Sequence, residues 1–246
     1  MRKFVALFII LIYNGFVFGN DFQEGNEAYN NKDFKTAINL YENCVNQGVA
    51  NPILFFNLGN AYFKNENLGK AILWYERALR LEPNNEDIIH NLAFVNTQIV
   101  DKVNNDVFWI EQFFNKILFL FSTRSWAFLS IIFVFLTCFC IAILLIAKQS
   151  KMRMFFFFST ITFLILFIIS IIIASISYKQ TTNNDKIIVT KLSVVVKSTP
   201  DSSGTTLFTV HEGIKGIITD KTDKWIEVKF PNDEKGWIES TSAEII

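Results

Sequence analysis

Asn57-Leu-Gly-Asn-Ala-Tyr62, then Ala71-Ile-Leu-Trp-Tyr-Glu-Arg-Ala-Leu79, then Glu82-Pro83-Asn84 is the stretch that decides the fold. Moved along the chain by 34 positions it meets itself: Gly59 falls on Gly25, Ala71 on Ala37, Ile72 on Ile38, Tyr75 on Tyr41 and Glu76 on Glu42. Self-similarity at a fixed period of this length means one helical hairpin repeated and stacked. The small residues Gly59, Ala71 and Ala78 mark where two antiparallel helices must approach closely. Leu58, Tyr62 and Tyr75 fill the space between them, and Pro83 stops the second helix. Cys44 occupies the slot that Ala78 fills one period later, which makes it a packing residue rather than a reactive thiol. A third segment, Glu86–Val100, starts like another first helix with Ile89, Asn91-Leu-Ala93 and Val95, but no second helix follows. A capping helix over 86–102, covering the last repeat, is expected.

These small, large and Pro positions in register resemble the tetratricopeptide repeat, in two copies at about 18–51 and 52–85 within a helical domain over 20–103. The first copy departs from the pattern at Glu24, Ala28 and Val49, where Leu, Tyr and Pro are usual. The resemblance implies an α-helical solenoid whose first helices line a concave peptide-binding groove. Its positions fall on Phe22, Asn26, Tyr29 and Asn30, then on Phe56, Asn60, Phe63 and Lys64, with His90 and Phe94 following on the cap. An aromatic groove with Asn amides suits an extended or helical peptide whose backbone the amides bond. The alternative is that these aromatics pack against the neighbouring repeat. The family's carboxylate clamp needs several basic residues here and only Lys64 remains, so a chaperone-tail receptor is not expected. His90 has no Cys, Asp or Glu at metal-ligand spacing, and no metal or other cofactor is expected.

Two apolar blocks follow, 126–147 and 154–177, with no charged residue in either. Each exceeds the roughly 20 residues that a helix needs to cross a bilayer core. They read as a transmembrane hairpin over 126–178. The short loop between them carries Lys148, Lys151 and Arg153, which by the positive-inside rule faces the cytoplasm and leaves both flanks outside. The N-terminus agrees: Met1-Arg-Lys, an apolar run Phe4–Tyr13 and a Val17-Phe-Gly19 end read as a signal peptide over 1–19, with an uncleaved anchor as the alternative. The spans contain no Asp, Glu, Lys, Arg or His, so the hairpin reads as an anchor rather than an ion or proton path. Before it, 104–125 is rich in aromatics (Phe108, Trp109, Phe113, Phe114, Phe121) with a narrow polar stripe, suiting a helix in the membrane interface or one packed on the repeats.

From 183 to 246 the pattern changes to six short apolar runs broken by turns such as Pro200-Asp-Ser-Ser-Gly204 and Pro231-Asn-Asp-Glu234. Six short strands in so few residues point to a small barrel. The tail Trp225-Ile-Glu-Val228 and Gly236-Trp-Ile238 resembles the bacterial SH3-like domain. That resemblance implies an aromatic groove at Trp225 and Trp237 for peptides or wall glycans. Trp225 is equally readable as core. His211 has no nucleophile near it in sequence, which argues against a hydrolase.

A formal net charge of zero removes the electrostatic footprint of a nucleic-acid binder. Cys138 and Cys140 lie in the first span, so no disulfide framework is expected. The whole is a multidomain membrane protein: signal peptide, helical repeats, two-helix hairpin, small all-β barrel. That order resembles the BatE family of aerotolerance operon proteins. The resemblance implies von Willebrand A-domain membrane proteins and a MoxR-type ATPase as partners, in tolerance of oxidative or envelope stress; the hairpin adds membrane lipid and the SH3-like resemblance adds peptidoglycan as expected contacts. The function expected is a non-enzymatic scaffold in the inner membrane with both soluble parts in the periplasm. The alternatives are a transmembrane sensor, a wall-binding accessory protein and a cell-wall enzyme.

Overall fold

The computed structural model describes residues 20–101, 114, 117–118, 120–121, 123–182 and 185–246, the side chains of 180–182 excepted. The signal-peptide reading of 1–19 and most of the interfacial segment 104–125 lie outside them. The chain divides into two compact units: Met1–Asn104 with Asn184–Ile246, and Asn105–Asn183.

Five helices open the first unit: α1 (20–30), α2 (Phe34–Asn46), α3 (Pro52–Lys64), α4 (Leu68–Leu81) and α5 (Glu86–Asn96). Their starts repeat with the same 34-residue period as their cores. Asp33 accepts from Thr36 N and Asn67 from Lys70 N, while Asn51 accepts from Ile53 N and Leu54 N and Asn85 from Ile88 N. Each side chain satisfies an amide that the first helical turn leaves unpaired. Lys32 and Glu66 hold the same turn at φ 63° and 62°, a left-handed conformation that non-glycine residues seldom adopt. Inside the stack Ala37, Cys44, Leu54, Leu58, Ala61, Ala71, Leu73 and Ala78 are fully buried. Gly25 and Gly59 lie under the rings of Tyr41 and Tyr75, so close that an added Cβ would stand 2.6 and 2.7 Å from ring carbons. The small residues seen in the sequence are therefore the seats of two tyrosine rings. The helix expected over 86–102 is α5, which ends at Asn96 and buries Ile88, Leu92 and Val95.

The C-terminal part is all β, with the six expected strands in place: β1 (Lys186–Val189), β2 (Ser193–Lys197), β3 (Thr206–His211), β4 (Lys215–Lys221), β5 (Trp225–Lys229) and β6 (Lys235–Glu239). A seventh, β7 (Ala243–Ile245), follows a 3₁₀ turn at Ser240–Ser242. All pairings are antiparallel, in the order β3-β2-β6-β5-β4-β1-β7. The small all-β part is as expected, and its sheet is open: β3 and β7 are edges and do not pair. Strand count does not determine closure; the late strand β7 adds to β1, where it caps one edge instead of joining β3. Gly216 and Gly236 let Val228 and Val196 cross closely, since a Cβ would meet those side chains at 2.3 and 2.4 Å.

Helices and sheet pack into the one unit. Ile187 and Val189 point into the sheet's own core, while Ile188, between them, belongs to the helical core. A strand buried on both faces needs the unbroken apolar run Ile187-Ile188-Val189, and β1 has it. Around it, Gly69 N donates to Glu212 Oε2 at 2.9 Å and Lys70 pairs with Glu244. Lys215 pairs with Glu76 at 2.7 Å, and the Arg77 guanidinium donates to the Ile245 carbonyl at 2.6 and 3.2 Å. His211 receives Asp101 twice: its backbone N–H and its ring Nδ1 both face that carboxylate.

The second unit holds two helices, α6 (Thr123–Ile146) and α7 (Ser150–Thr182), packed antiparallel, with Thr123 Oγ1 and Ser177 Oγ 2.7 Å apart. Trp126 donates from its indole to the Leu118 carbonyl at 3.2 Å and stacks edge-on to Phe121. Both helices are long and apolar enough to cross a membrane, with mean hydropathies of 3.1 and 2.8, and only 17% and 6% of those stretches are buried. Apolar helices with so little cover differ from the core helices of a water-soluble domain. The turn between them is shorter than the charge pattern implied, because α7 begins at Ser150 and carries Lys151 and Arg153 in its first turn.

Candidate functional site

Of the ten groove positions, the structure brings Asn26, Tyr29, Asn30 and Asn60 together, joined by Tyr41 and Asn57, around a cleft of about 420 Å³ on the first two repeats. Asn26 Oδ1 accepts from Tyr41 Oη at 2.7 Å and from Asn57 Nδ2 at 3.0 Å. One period on, Asn60 Oδ1 accepts from Tyr75 Oη at 2.6 Å and from Asn91 Nδ2 at 2.9 Å. Each Asn oxygen therefore uses both lone pairs on the protein. The Nδ2–H donors of Asn26 and Asn60 have no acceptor among the described residues.

Burial raises the Tyr29 phenol and pushes Tyr41 up to about 12. Tyr75 is raised by burial as well, against the opposing pull of the Asn91 side chain. All three are neutral at physiological pH. No charged side chain lines the cleft. It offers amide donors, phenol edges and no formal charge, a chemistry matched to the carbonyl groups of an extended chain.

The remaining positions divide differently. Phe22 and Phe56 pack on Tyr41 and Tyr75 with the same geometry, ring centroids 5.9 Å apart and planes at 46° and 47°. They hold the tyrosines that hold the asparagines. Phe63 meets Phe94 edge to face at 5.8 Å with Lys64 over its ring, forming a separate aromatic group at the α3–α5 junction. His90 is exposed on α5, and no cluster of three metal-ligating side chains occurs among the described residues. Sequence reasoning missed Asn57, Asn91 and the phenol role of Tyr41 and Tyr75. The signal was a spacing: Asn57 and Asn91 stand 34 apart, as Asn26 and Asn60 do.

On the sheet, Trp225 and Trp237 both stand half-buried on the outer face, while Ile226, Val228, Gly236 and Ile238 point inward. Trp225 lies opposite Glu239 and Trp237 opposite Glu227, so the two indoles are diagonal neighbours across β5 and β6. Trp225 is thus a surface residue of the sheet and not part of its core cluster.

Comparison with known families places a tetratricopeptide repeat at residues 52–85, which are α3, α4 and their connections. No curated protein matches the chain. The repeat is a non-catalytic module that mediates protein–protein interactions, and in this chain it contains Asn57 and Asn60 of the cleft lining.

Proposed function

We propose that this chain is a non-enzymatic scaffold in the inner membrane, with a periplasmic cleft that holds an extended segment of a partner protein. The observation that carries the reading is the pair of amides, Asn26 and Asn60, whose oxygens are saturated internally and whose N–H donors face an uncharged cleft. Two such donors one repeat apart suit two backbone carbonyls on one edge of a bound strand. The membrane part of the reading draws on α6 and α7. Segments before and after this hairpin pack into one unit, which supports an even number of crossings and a common side for both flanks. Lys148, Lys151 and Arg153 at the turn favour that side being the periplasm.

The order of repeats, hairpin and all-β part resembles that of the BatE family, so the partner class proposed is a von Willebrand A-domain membrane protein working with a MoxR-type ATPase in oxidative or envelope stress. The test is Asn26→Asp with Asn60→Asp. Carboxylates still accept from Tyr41, Asn57, Tyr75 and Asn91 but donate nothing. Partner recovery from cross-linked membranes is expected to fall at least tenfold while the folded fraction is retained; undiminished recovery sinks the cleft reading. A second reading, wall binding, is favoured by the diagonal pair Trp225 and Trp237. It predicts co-sedimentation of the full chain with peptidoglycan that Trp225→Ala with Trp237→Ala abolishes.

A further inference from the structure

The loop end of α7 carries a second cavity, a groove of about 410 Å³ lined by Lys151, Met154, Phe155, Phe158, Ser159 and Phe163, among others. Its chemistry is divided along the helix. Lys151 lines one end; Lys148 and Arg153 lie within three residues of it in the chain, all three are exposed, and no Asp or Glu occurs anywhere in 123–182 to neutralise them. Below them, three phenylalanines and a methionine form the walls. Met154, Phe155 and Phe158 are each at least 60% exposed, so the groove opens outward from the hairpin rather than toward α6. Ser159 adds a further signal. The hydroxyls of Thr160, Thr162, Ser170 and Ser175 all return a bond to a carbonyl of their own helix. The hydroxyl of Ser159, inside the groove, has no partner among the described residues.

We infer that this groove is a binding site for one anionic phospholipid, its phosphate held by Lys151 with Lys148 and Arg153 and one acyl chain lying between Phe155, Phe158 and Phe163. The inference rests on reading α6 and α7 as membrane helices. Charge complementarity selects the occupant: an uncompensated Lys151 at the mouth of an apolar, outward-open groove, with two more cations within three residues of it in the chain, matches a molecule with an anionic head and a hydrocarbon tail. A soluble anion would satisfy only the mouth, and a neutral lipid only the walls. Each basic side chain near an anionic headgroup contributes about fivefold in affinity.

The test uses the full chain in lipid nanodiscs, one set of phosphatidylcholine alone and one with phosphatidylglycerol added, with lipids retained on the protein counted by native mass spectrometry. Retained phosphatidylglycerol is expected to exceed phosphatidylcholine by at least tenfold per molecule offered. Lys151→Gln is expected to lower that preference about fivefold. Phe155→Ala with Phe158→Ala, which leaves every charge in place, is expected to abolish retention of a bound lipid. Equal retention of the two lipids overturns the inference, and so does retention unaffected by the Phe substitutions, which would mean loop charge alone. Inorganic phosphate that displaces the bound lipid would overturn the acyl-chain contribution. Failure of the chain to enter either nanodisc would overturn the membrane reading and this site together, whereas entry without selectivity would overturn the site only.

Discussion

Asn57 donates from its side-chain amide to Asn26 Oδ1 at 3.0 Å, a bond that ties the first helices of two successive repeats. The bond from Asn91 to Asn60 does the same one period later. A solenoid is held by interfaces between neighbours, so these amides belong to the coupling between repeats rather than to either repeat alone. Asn57→Ala is expected to cost about 1–2 kcal/mol by leaving one Asn26 lone pair unmet. Asn26→Ala should cost about 2–3 kcal/mol, because the buried Tyr41 hydroxyl then loses its acceptor as well. Urea unfolding of both variants and the double variant gives the coupling, expected near 1 kcal/mol for partners in direct contact.

Gly59 lies under a ring that cannot yield. An alanine Cβ there would stand 2.7 Å from two carbons of Tyr75, a side chain 1% exposed and anchored through its hydroxyl to Asn60. Gly59→Ala is expected to destabilise by about 1–3 kcal/mol through overpacking, despite alanine's higher helix propensity. Pairing it with Tyr75→Phe, which frees the ring to shift, should recover part of the loss in thermal unfolding.

Gly213 joins sheet to helices at a position with two independent demands. Its φ is +89°, and a Cβ would meet Ile99 Cγ2 at 2.6 Å and Ile72 Cδ1 at 2.7 Å. Gly213→Ala is expected to loosen the turn between β3 and β4 from α4. Hydrogen exchange at Gly69 N and His211 N, whose acceptors are Glu212 and Asp101, should accelerate at least tenfold. Unchanged protection at both amides would mean that the two parts do not depend on this contact.

The helices were legible because their signals are local and repeat: caps, small residues and tyrosines all recur at 34 residues. The asparagine ladder was half legible: Asn26 and Asn60 by family position, whereas Asn57 and Asn91 showed only their 34-residue spacing, which does not say that their amides bond to Asn26 and Asn60. Packing of sheet on α4 was not legible. Lys70, Glu76 and Arg77 look like a solvated helix face, and their partners Glu244, Lys215 and Ile245 lie more than a hundred residues away. Ala243–Ile245 was unreadable as a strand for the same reason: three residues show no alternation, and β7 exists because β1 offers an edge.

Arg77 combines three contacts on that hidden face. It donates twice to the Ile245 carbonyl, approaches Glu244 at 3.7 Å and lies over the Trp74 ring at 4.5 Å. Burial lowers its pKa, with Glu244 opposing that shift. Arg77→Ala is expected to cost about 2–3 kcal/mol through lost charge-assisted bonds and packing. Arg77→Lys keeps the charge but not the planar fork, so it should recover less than half of the loss. Protease cleavage within β7 is the direct readout, expected to rise in the order wild type, Lys, Ala.

Alkaline pH offers a test of the buried phenols together. Burial pushes Tyr41 up to about 12 and raises Tyr75 and Tyr62, the last with Glu42 adding to the effect. Unfolded tyrosines ionise near pH 10, so above that pH the folded chain binds more protons than the unfolded one. Stability from these groups is therefore complete below about pH 10 and declines as pH rises toward the folded values, by about 1.4 kcal/mol per unit for each group fully within its window. Denaturation midpoints should be flat in this respect up to about pH 9 and fall steeply from pH 10 to 11.5. Tyr41→Phe removes one titrating group and should flatten that fall while lowering the neutral-pH stability by about 1 kcal/mol for the lost bond to Asn26. Tyrosinate absorbance on the folded chain supplies the independent check: the buried phenols should ionise only as the helices unfold.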